Sequence, residues 1–266
     1  MQFEHEDVVA LAIDAGKAIM GVYESPEPVN IQVKTDDSPL TKADLAAHDV
    51  IVQGLVAISP NVPIVSEEGK VGDPLDSEFT WLVDPLDGTK EFIKRNGMFT
   101  VNIALMRRER ERWAPVFGVV HAPVTETSWF GGNGVTATKI HQQSRETMAV
   151  RHHHPGPIRL VTSGSHRSER DELFSSQLGE HDLIRMGSSL KACAVADGSA
   201  DLYPRFGLTS CWDIAAAHAV VDSAGGSVIG PDCQTLDYDV VDKVLNPFFL
   251  VASRDDWNEL WSRNQD

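Results

Sequence analysis

Trp81-Leu82-Val83-Asp84-Pro85-Leu86-Asp87-Gly88-Thr89-Lys90-Glu91 decides how this chain is read. Three apolar residues of strand character run into two carboxylates separated by Pro-Leu, and Gly-Thr then opens a helix. Pro85 fixes its own φ and biases Asp84 towards extended backbone, so Asp84 is expected to finish the strand, pointing out of the sheet's carboxyl edge. Gly88 permits a tight turn. The N–H groups of Gly88 and Thr89 at the helix start suit an anion. Two carboxylates with the Leu86 carbonyl between them form an all-oxygen donor set, of the kind a hard cation such as Mg²⁺ takes together with waters and substrate phosphate. The expectation is a metal and phosphate site. The alternative is a strand-turn-helix corner in which the aspartates only cap.

Other acids occupy comparable positions. Val62-Pro63-Ile64-Val65 reads as a short strand ending in Ser66-Glu67-Glu68-Gly69, a second strand that runs out into carboxylates. A helix is expected from about Thr41 to just before Ser59-Pro60, with Leu45, Val52, Leu55 and Val56 among its apolar positions. Asp44 lies in its first turn, where an acid by itself serves the helix dipole. Asp213 begins the alanine-rich helix Ile214 to Ala224, which Gly225-Gly226 stops. Alone it reads as a cap; in company with the other acids it is a candidate ligand.

The remaining chain supplies a frame. Asp7 to Tyr23 has apolar residues at helical spacing, Val29 to Val33 alternates as a short strand, and Lys34 to Pro39 reads as a loop. Phe99 to Met106 and Val116 to Val120 are expected strands, with charged Arg107 to Arg112 as the turn between them. Ser128 to Phe130 is another strand, and Gly131 to Gly134 another turn. Arg151 to Pro157 marks a boundary, where three adjacent histidines read as a solvated linker rather than a metal site. It divides the chain into an N-terminal α+β part (1–156) and a C-terminal α/β part (157–266). In the second part, strands are expected at Ile158 to Thr162, Ile184 to Met186 and Asp201 to Arg205. A polar helix spans Glu169 to Leu178, and Gly187-Ser188-Ser189-Leu190-Lys191 enters the helix that carries Cys193. Alternation of strands and helices argues for an α/β fold class.

Composition narrows the function. A chain of 266 residues, 42% apolar and 23% charged, has ample material for a core. Its formal charge of -16 argues against general affinity for nucleic acid or anionic membrane, and an anionic substrate would need bound cations and a local basic pocket. Cys193, Cys211 and Cys233 show no zinc or redox spacing. The first residues, Met-Gln-Phe-Glu-His-Glu-Asp, are acidic where a secretory leader is basic, and no apolar run reaches the ~20 residues of a membrane span. A cytoplasmic protein is expected; peripheral association with the inner membrane stays compatible with the sequence.

Taken together, Ser66-Glu67-Glu68, Asp84-Pro85-Leu86-Asp87-Gly88-Thr89 and Trp212-Asp213 before an alanine-rich helix resemble the lithium-sensitive, magnesium-dependent phosphatases. That superfamily includes inositol monophosphatases, fructose-1,6-bisphosphatases and bisphosphate nucleotidases. Within it the chain is most similar to the bacterial 3'(2'),5'-bisphosphate nucleotidases of the CysQ type, through Trp81 to Leu105, Gly187 to Lys191 and Leu202 to Gly207. The likeness weakens from Arg107 to His154. It implies a layered αβαβα sugar-phosphatase fold and hydrolysis of the 3'-phosphate of adenosine 3',5'-bisphosphate by directly attacking water. It implies two or three Mg²⁺ ions on Glu67, Asp84, the Leu86 carbonyl, Asp87 and Asp213, with Asp44 and Thr89, besides Glu67, in catalysis. Substrate contacts would come from Glu67, Leu86, Asp87, Gly88, Thr89, Ser188, Lys191, Arg205, Asp213 and His166. The partner implied is a small nucleotide, not nucleic acid, and the assembly a monomer or homodimer. Inositol phosphate or a related sugar phosphate is the rival substrate, and a metal-gated binding protein without catalysis is the remote alternative, against which the full set of acids argues. Lys191 and Arg205 argue for a second phosphate. An aspartyl-phosphate mechanism of the Asp-x-Asp-Gly-Thr type fails, because its nucleophile would fall on Pro85.

Overall fold

The structure is a computed structural model that describes residues 3–26, 31–33, 39–152, 156–163, 168–254 and 257–264. Two helices make its first layer. In α1 (His5–Tyr23), Val8, Leu11, Ala12, Ala15 and Ile19 return at helical spacing and are buried. In α2 (Lys42–Ile58) the buried stripe is Ala43, Asp44, Ala47, Ile51 and Leu55. Leu45 and Val56, expected to face inward, are 42% and 41% exposed. The small side chains of Ala43 and Ala47 take their place, which brings the backbone of α2 close to its neighbours. Thr41 caps α2 in a capping box with Asp44. Before it, β1 (Ile31–Val33) pairs antiparallel with β2 (Pro39–Thr41), so Pro39 belongs to a strand and not to the expected loop. Val29 and Lys34 to Ser38 lie outside the described residues.

Under the helices lies a sheet built from β3 (Ile64–Ser66), β4 (Gly69–Val71), β5 (Phe79–Asp87), β6 (Thr100–Glu109), β7 (Arg112–Ala122), β8 (Thr127–Gly132), β9 (Val135–His141) and β10 (Ser144–Thr147). The spatial order is β10-β9-β8-β7-β6-β5-β3-β4, antiparallel except that β3 runs parallel to β5. Alternation sorts its two faces. Trp81, Val83, Ile103 and Leu105 pack towards α1 and α2, whereas Leu82, Ala104, Met106 and Val120 face the other way. β6 and β7 run through the charged segment expected to be a turn, which shrinks to Arg110-Glu111, and Gly131-Gly132 close β8 before a turn at Asn133-Gly134. Charge is tolerated there because these strand ends run out of the core: Arg107 and Arg108 are half-buried and Glu109 is exposed.

The second sheet begins beyond the expected boundary. It holds β11 (Ile158–Ser163), β12 (His181–Met186), β13 (Leu202–Arg205), β14 (Ser227–Ile229) and β15 (Phe249–Ala252), in the order β12-β11-β13-β15-β14. Between the two sheets lie α5 (Leu190–Ala196) and α6 (Cys211–Ser223). Their alanines and valines share one core with Leu82 and Val120 of the first sheet and Val161, Tyr203 and Val251 of the second. On the far side, Phe174 of α4 (Glu169–Gln177) and Trp261 of α7 (Asn258–Ser262) cover Leu160, Leu202 and Leu250. Helix, sheet, helix, sheet and helix layers alternate, the αβαβα architecture expected. A short helix, α3 (Thr89–Ile93), follows β5. Close approach sets the middle layer: a Cβ on Gly118 of β7 would come within 2.1 Å of the Ala216 carbonyl oxygen in α6. No helix among the described residues is long and apolar enough to cross a membrane.

Candidate active site

The acids of the opening stretch sit in a strand, not beyond its end. β5 continues through Asp84 to Asp87, and its register against β6 shifts between them: Asp84 faces Asn102, but Asp87 faces Thr100. Two residues on β5 thus oppose one on β6, a bulge at Pro85-Leu86. In a regular strand residues three apart point to opposite faces; one extra residue returns Asp87 to the face of Asp84. Pro85, with no N–H to give, fits a bulge. Leu86 turns its side chain into the core beneath α1 and α2, and its carbonyl lies 3.3 Å from Thr89 Oγ1. Gly88, at φ 92°, then turns the chain into α3.

Two other elements bring acids to this bulge. Because β3 runs parallel to β5, the chain leaves both strands at the same edge, and Glu67 N donates to the Val83 carbonyl at 3.0 Å. His48 of α2 steadies that turn through Ser66 Oγ at 2.9 Å, and Ser66 Oγ accepts from Glu68 N at 3.3 Å. Asp213 arrives at the start of α6, where its Oδ2 accepts from Ser210 N at 2.9 Å in a capping box. It caps and also reaches the acids: ligand oxygens of Asp84, Asp87 and Asp213 lie within 4.8 Å of one another. Glu67 hydrogen-bonds to Asp84.

Such crowding of buried carboxylates is unfavourable without a counter-charge. Burial, reinforced by Glu67, Asp87 and Asp213, holds the Asp84 carboxyl well above the usual carboxylate range. Burial and the neighbouring Asp87 push Asp213 up to about 8. An oxygen-only donor set that is under this repulsion fits a hard divalent cation, which would replace the protons.

Asp44 and Thr89 meet beside the cluster. Thr89 Oγ1 donates to Asp44 Oδ1 at 3.2 Å, while Asp44 Oδ2 accepts from Thr41 N at 2.8 Å and Thr41 Oγ1 at 2.6 Å. Burial raises the Asp44 carboxyl above its ordinary value despite those hydrogen bonds. The capping box therefore fixes the carboxylate that Thr89 contacts.

A cleft opens from Asp87 and Asp213 towards the second sheet, lined also by Gly88, Lys191, Tyr203 and Arg205. Lys191 Nζ donates to the Ser188 carbonyl at 2.6 Å and lies 5.3 Å from the Tyr203 ring centroid. Burial pulls its ammonium down to about 8. Arg205 donates to the Leu208 carbonyl at 2.9 Å. Ser188 donates from Oγ to Asp87 Oδ2 at 2.5 Å. His166 lies outside the described residues. Ser189, Thr100 and Asn102, which hydrogen-bond around Asp87, are not among the residues the sequence singles out; the paired serines of Gly187-Ser188-Ser189 are the available signal, and there Ser188 is expected as a substrate contact while Ser189 reads only as part of a turn.

Fold and acid cluster together define a phosphatase class, and the comparisons agree: residues 4–259 match the model of the inositol monophosphatase family, to which the chain belongs. Among curated proteins it is similar to the 3'(2'),5'-bisphosphate nucleotidase CysQ of Salmonella typhimurium, with 48% identity covering 93% of this chain and 98% of that one. The protein of the same name from Escherichia coli is 46% identical over the same shares. Among solved structures, CysQ from Bacteroides thetaiotaomicron, described as a bacterial member of the inositol monophosphatase family, superposes with a TM-score of 0.78 at 37% identity. That match covers 94% of this chain and 97% of the other.

Proposed function

We propose that this chain is a cytoplasmic, magnesium-dependent 3'(2'),5'-bisphosphate nucleotidase. It hydrolyses the 3'-phosphate of adenosine 3',5'-bisphosphate to AMP and phosphate, and that of 3'-phosphoadenosine 5'-phosphosulfate to adenosine 5'-phosphosulfate. The observation that carries this reading is the convergence of Asp84, Asp87 and Asp213 within 4.8 Å at the head of a cleft that Lys191 and Arg205 also line. The names of the curated relatives support the substrate.

Glu67, Asp84, the Leu86 carbonyl, Asp87 and Asp213 would hold the cations. Two or three Mg²⁺ ions, when bound, supply charge that offsets the phosphoryl oxygens and acidifies the attacking water. Thr89 Oγ1, fixed by its bond to Asp44, orients that water, and the buried Asp44 carboxylate takes up the proton relayed through the hydroxyl. The water oxygen bonds to phosphorus as the bond to the 3' oxygen breaks, the departing 3' oxygen takes up a proton from solvent to leave as the hydroxyl of AMP, and no side chain becomes phosphorylated. Gly88 and Thr89 N–H groups steady the phosphoryl oxygens. Ser188, Lys191 and Arg205 receive the nucleotide, with the two cations directed to its second phosphate.

Phosphate release from adenosine 3',5'-bisphosphate, inositol 1-phosphate and fructose 1,6-bisphosphate, with and without Mg²⁺, tests the reading. The bisphosphate nucleotide should give the highest kcat/KM, and only with Mg²⁺. Preference for either sugar phosphate would overturn the substrate assignment, and release unaffected by chelation would overturn the metal.

A further inference from the structure

The reading of Asp87 as a metal ligand is the footing for a further step: we propose that Ser189, Thr100 and Asn102 are positioning residues that lock the Asp87 carboxylate in the orientation a cation needs. Asp87 Oδ2 takes three donors, namely Ser188 Oγ at 2.5 Å, Ser189 N at 2.7 Å and Ser189 Oγ at 3.0 Å. Among the described residues no hydrogen bond reaches Oδ1. A carboxylate gripped by one oxygen has its torsions fixed and its other oxygen left for a metal.

Proton accounting extends the network beyond the serines. Each hydroxyl carries one proton. If Ser188 and Ser189 give theirs to Asp87, each still accepts from somewhere. Thr100 Oγ1 lies 2.5 Å from Ser188 Oγ and 2.9 Å from Ser189 Oγ, so it serves one of them. The Asn102 amide lies 2.7 Å from Ser189 Oγ and 3.2 Å from Thr100 Oγ1.

Its oxygen and nitrogen are interchangeable in shape, and the hydrogen-bond network decides between them. With the carbonyl turned to Ser189, Nδ2 is a buried donor with no acceptor, and Ser189 divides its proton between Asn102 and Asp87. With the nitrogen turned there, the amide donates to both Ser189 and Thr100, and all the protons run towards Asp87. An unpaired buried acceptor is also the less costly orphan. The geometry therefore assigns Asn102 as the donor at the head of a relay from β6, through the turn before α5, to the end of β5.

Mg²⁺ binding to the substrate-free protein, followed by isothermal titration calorimetry, reads this network without turnover. Ser189→Ala and Thr100→Val should each raise the Mg²⁺ Kd by about 10- to 100-fold. The Tm of the chelated protein should move by no more than about 4 °C. Asn102→Leu should give the same rise; if it does not fold, the two hydroxyl variants decide. An unchanged Kd in both hydroxyl variants overturns the proposal, as does a rise matched by a larger loss of chelated-state stability. Failure of the functional reading shows separately, as wild-type protein that binds Mg²⁺ and releases no phosphate.

Discussion

Thr89 is the residue whose meaning changes most between chain and fold. By local pattern alone it is a turn residue beside two acids, and only the family resemblance pairs it with Asp44; in the structure its hydroxyl bridges the Asp44 carboxylate and the Leu86 carbonyl. Thr89→Val keeps the shape and removes the hydroxyl. It should lower kcat by about 100-fold or more while leaving KM and Tm near wild type. A kcat within a few-fold of wild type would take Thr89 out of catalysis. Asp87→Asn keeps the hydrogen-bonding outline of the side chain and removes its charge. Turnover should fall by more than about 100-fold in a protein whose circular dichroism is unaltered, and retained turnover would remove Asp87 from the metal site. Lys191→Met tests the second phosphate: KM for adenosine 3',5'-bisphosphate should rise by about tenfold or more, and KM for adenosine 3'-monophosphate should change little.

At the scale of elements, the site depends on one irregular strand and one close helix. The bulge in β5 turns both acids to one face, and α6 carries Asp213 to them only because it lies tightly against β7. Gly118 permits that approach, since any Cβ there would meet the Ala216 carbonyl. Gly118→Val should therefore cost about 2 to 3 kcal/mol in urea unfolding, and it should weaken Mg²⁺ activation by lifting Asp213 away. Full stability would mean that the two elements are not pressed together. Taken alone, Asp44 reads as an acid serving the helix dipole, and the family resemblance pairs it with Thr89; the structure adds the capping box with Thr41 and the contact to Thr89.

The whole molecule carries a formal charge of -16, and its acid cluster of Asp84, Asp87 and Asp213 folds against its own repulsion. The sign of the pH dependence follows. Asp84 and Asp213 have folded-state pKa values raised above those of the unfolded chain, Asp213 to about 8. Their contribution to stability is fully present below the unfolded value near ~4 and is lost as pH rises through the folded one. The Tm of chelated protein should accordingly fall between about pH 4 and pH 8. Saturating Mg²⁺ should flatten that decline, because a bound cation favours the ionised carboxylates. A chelated Tm that rises over this range would contradict the cluster's arrangement. The first sheet ends at Thr147 and the second begins at Ile158, yet α5 and α6 share one core with both sheets, which ties the two sheets together.

By itself, the sequence determined which residue types the site has and what they can do. Paired carboxylates at a strand end, a left-handed glycine and an acid opening a helix are local patterns, and local backbone chemistry gives them a direction. Helical and strand periodicity likewise gave most elements, because one-sided burial imprints a period. Only the tertiary structure decided that Asp84 and Asp87 share a face, since a bulge depends on pairing with β6. Only it brought Ser188 and Ser189 to Asp87, Asn102 to Ser189 and Asp213 to both acids, since those contacts join distant elements across the sheet edge. Pairing register and layer packing are properties of the folded chain, and no short window of sequence contains them.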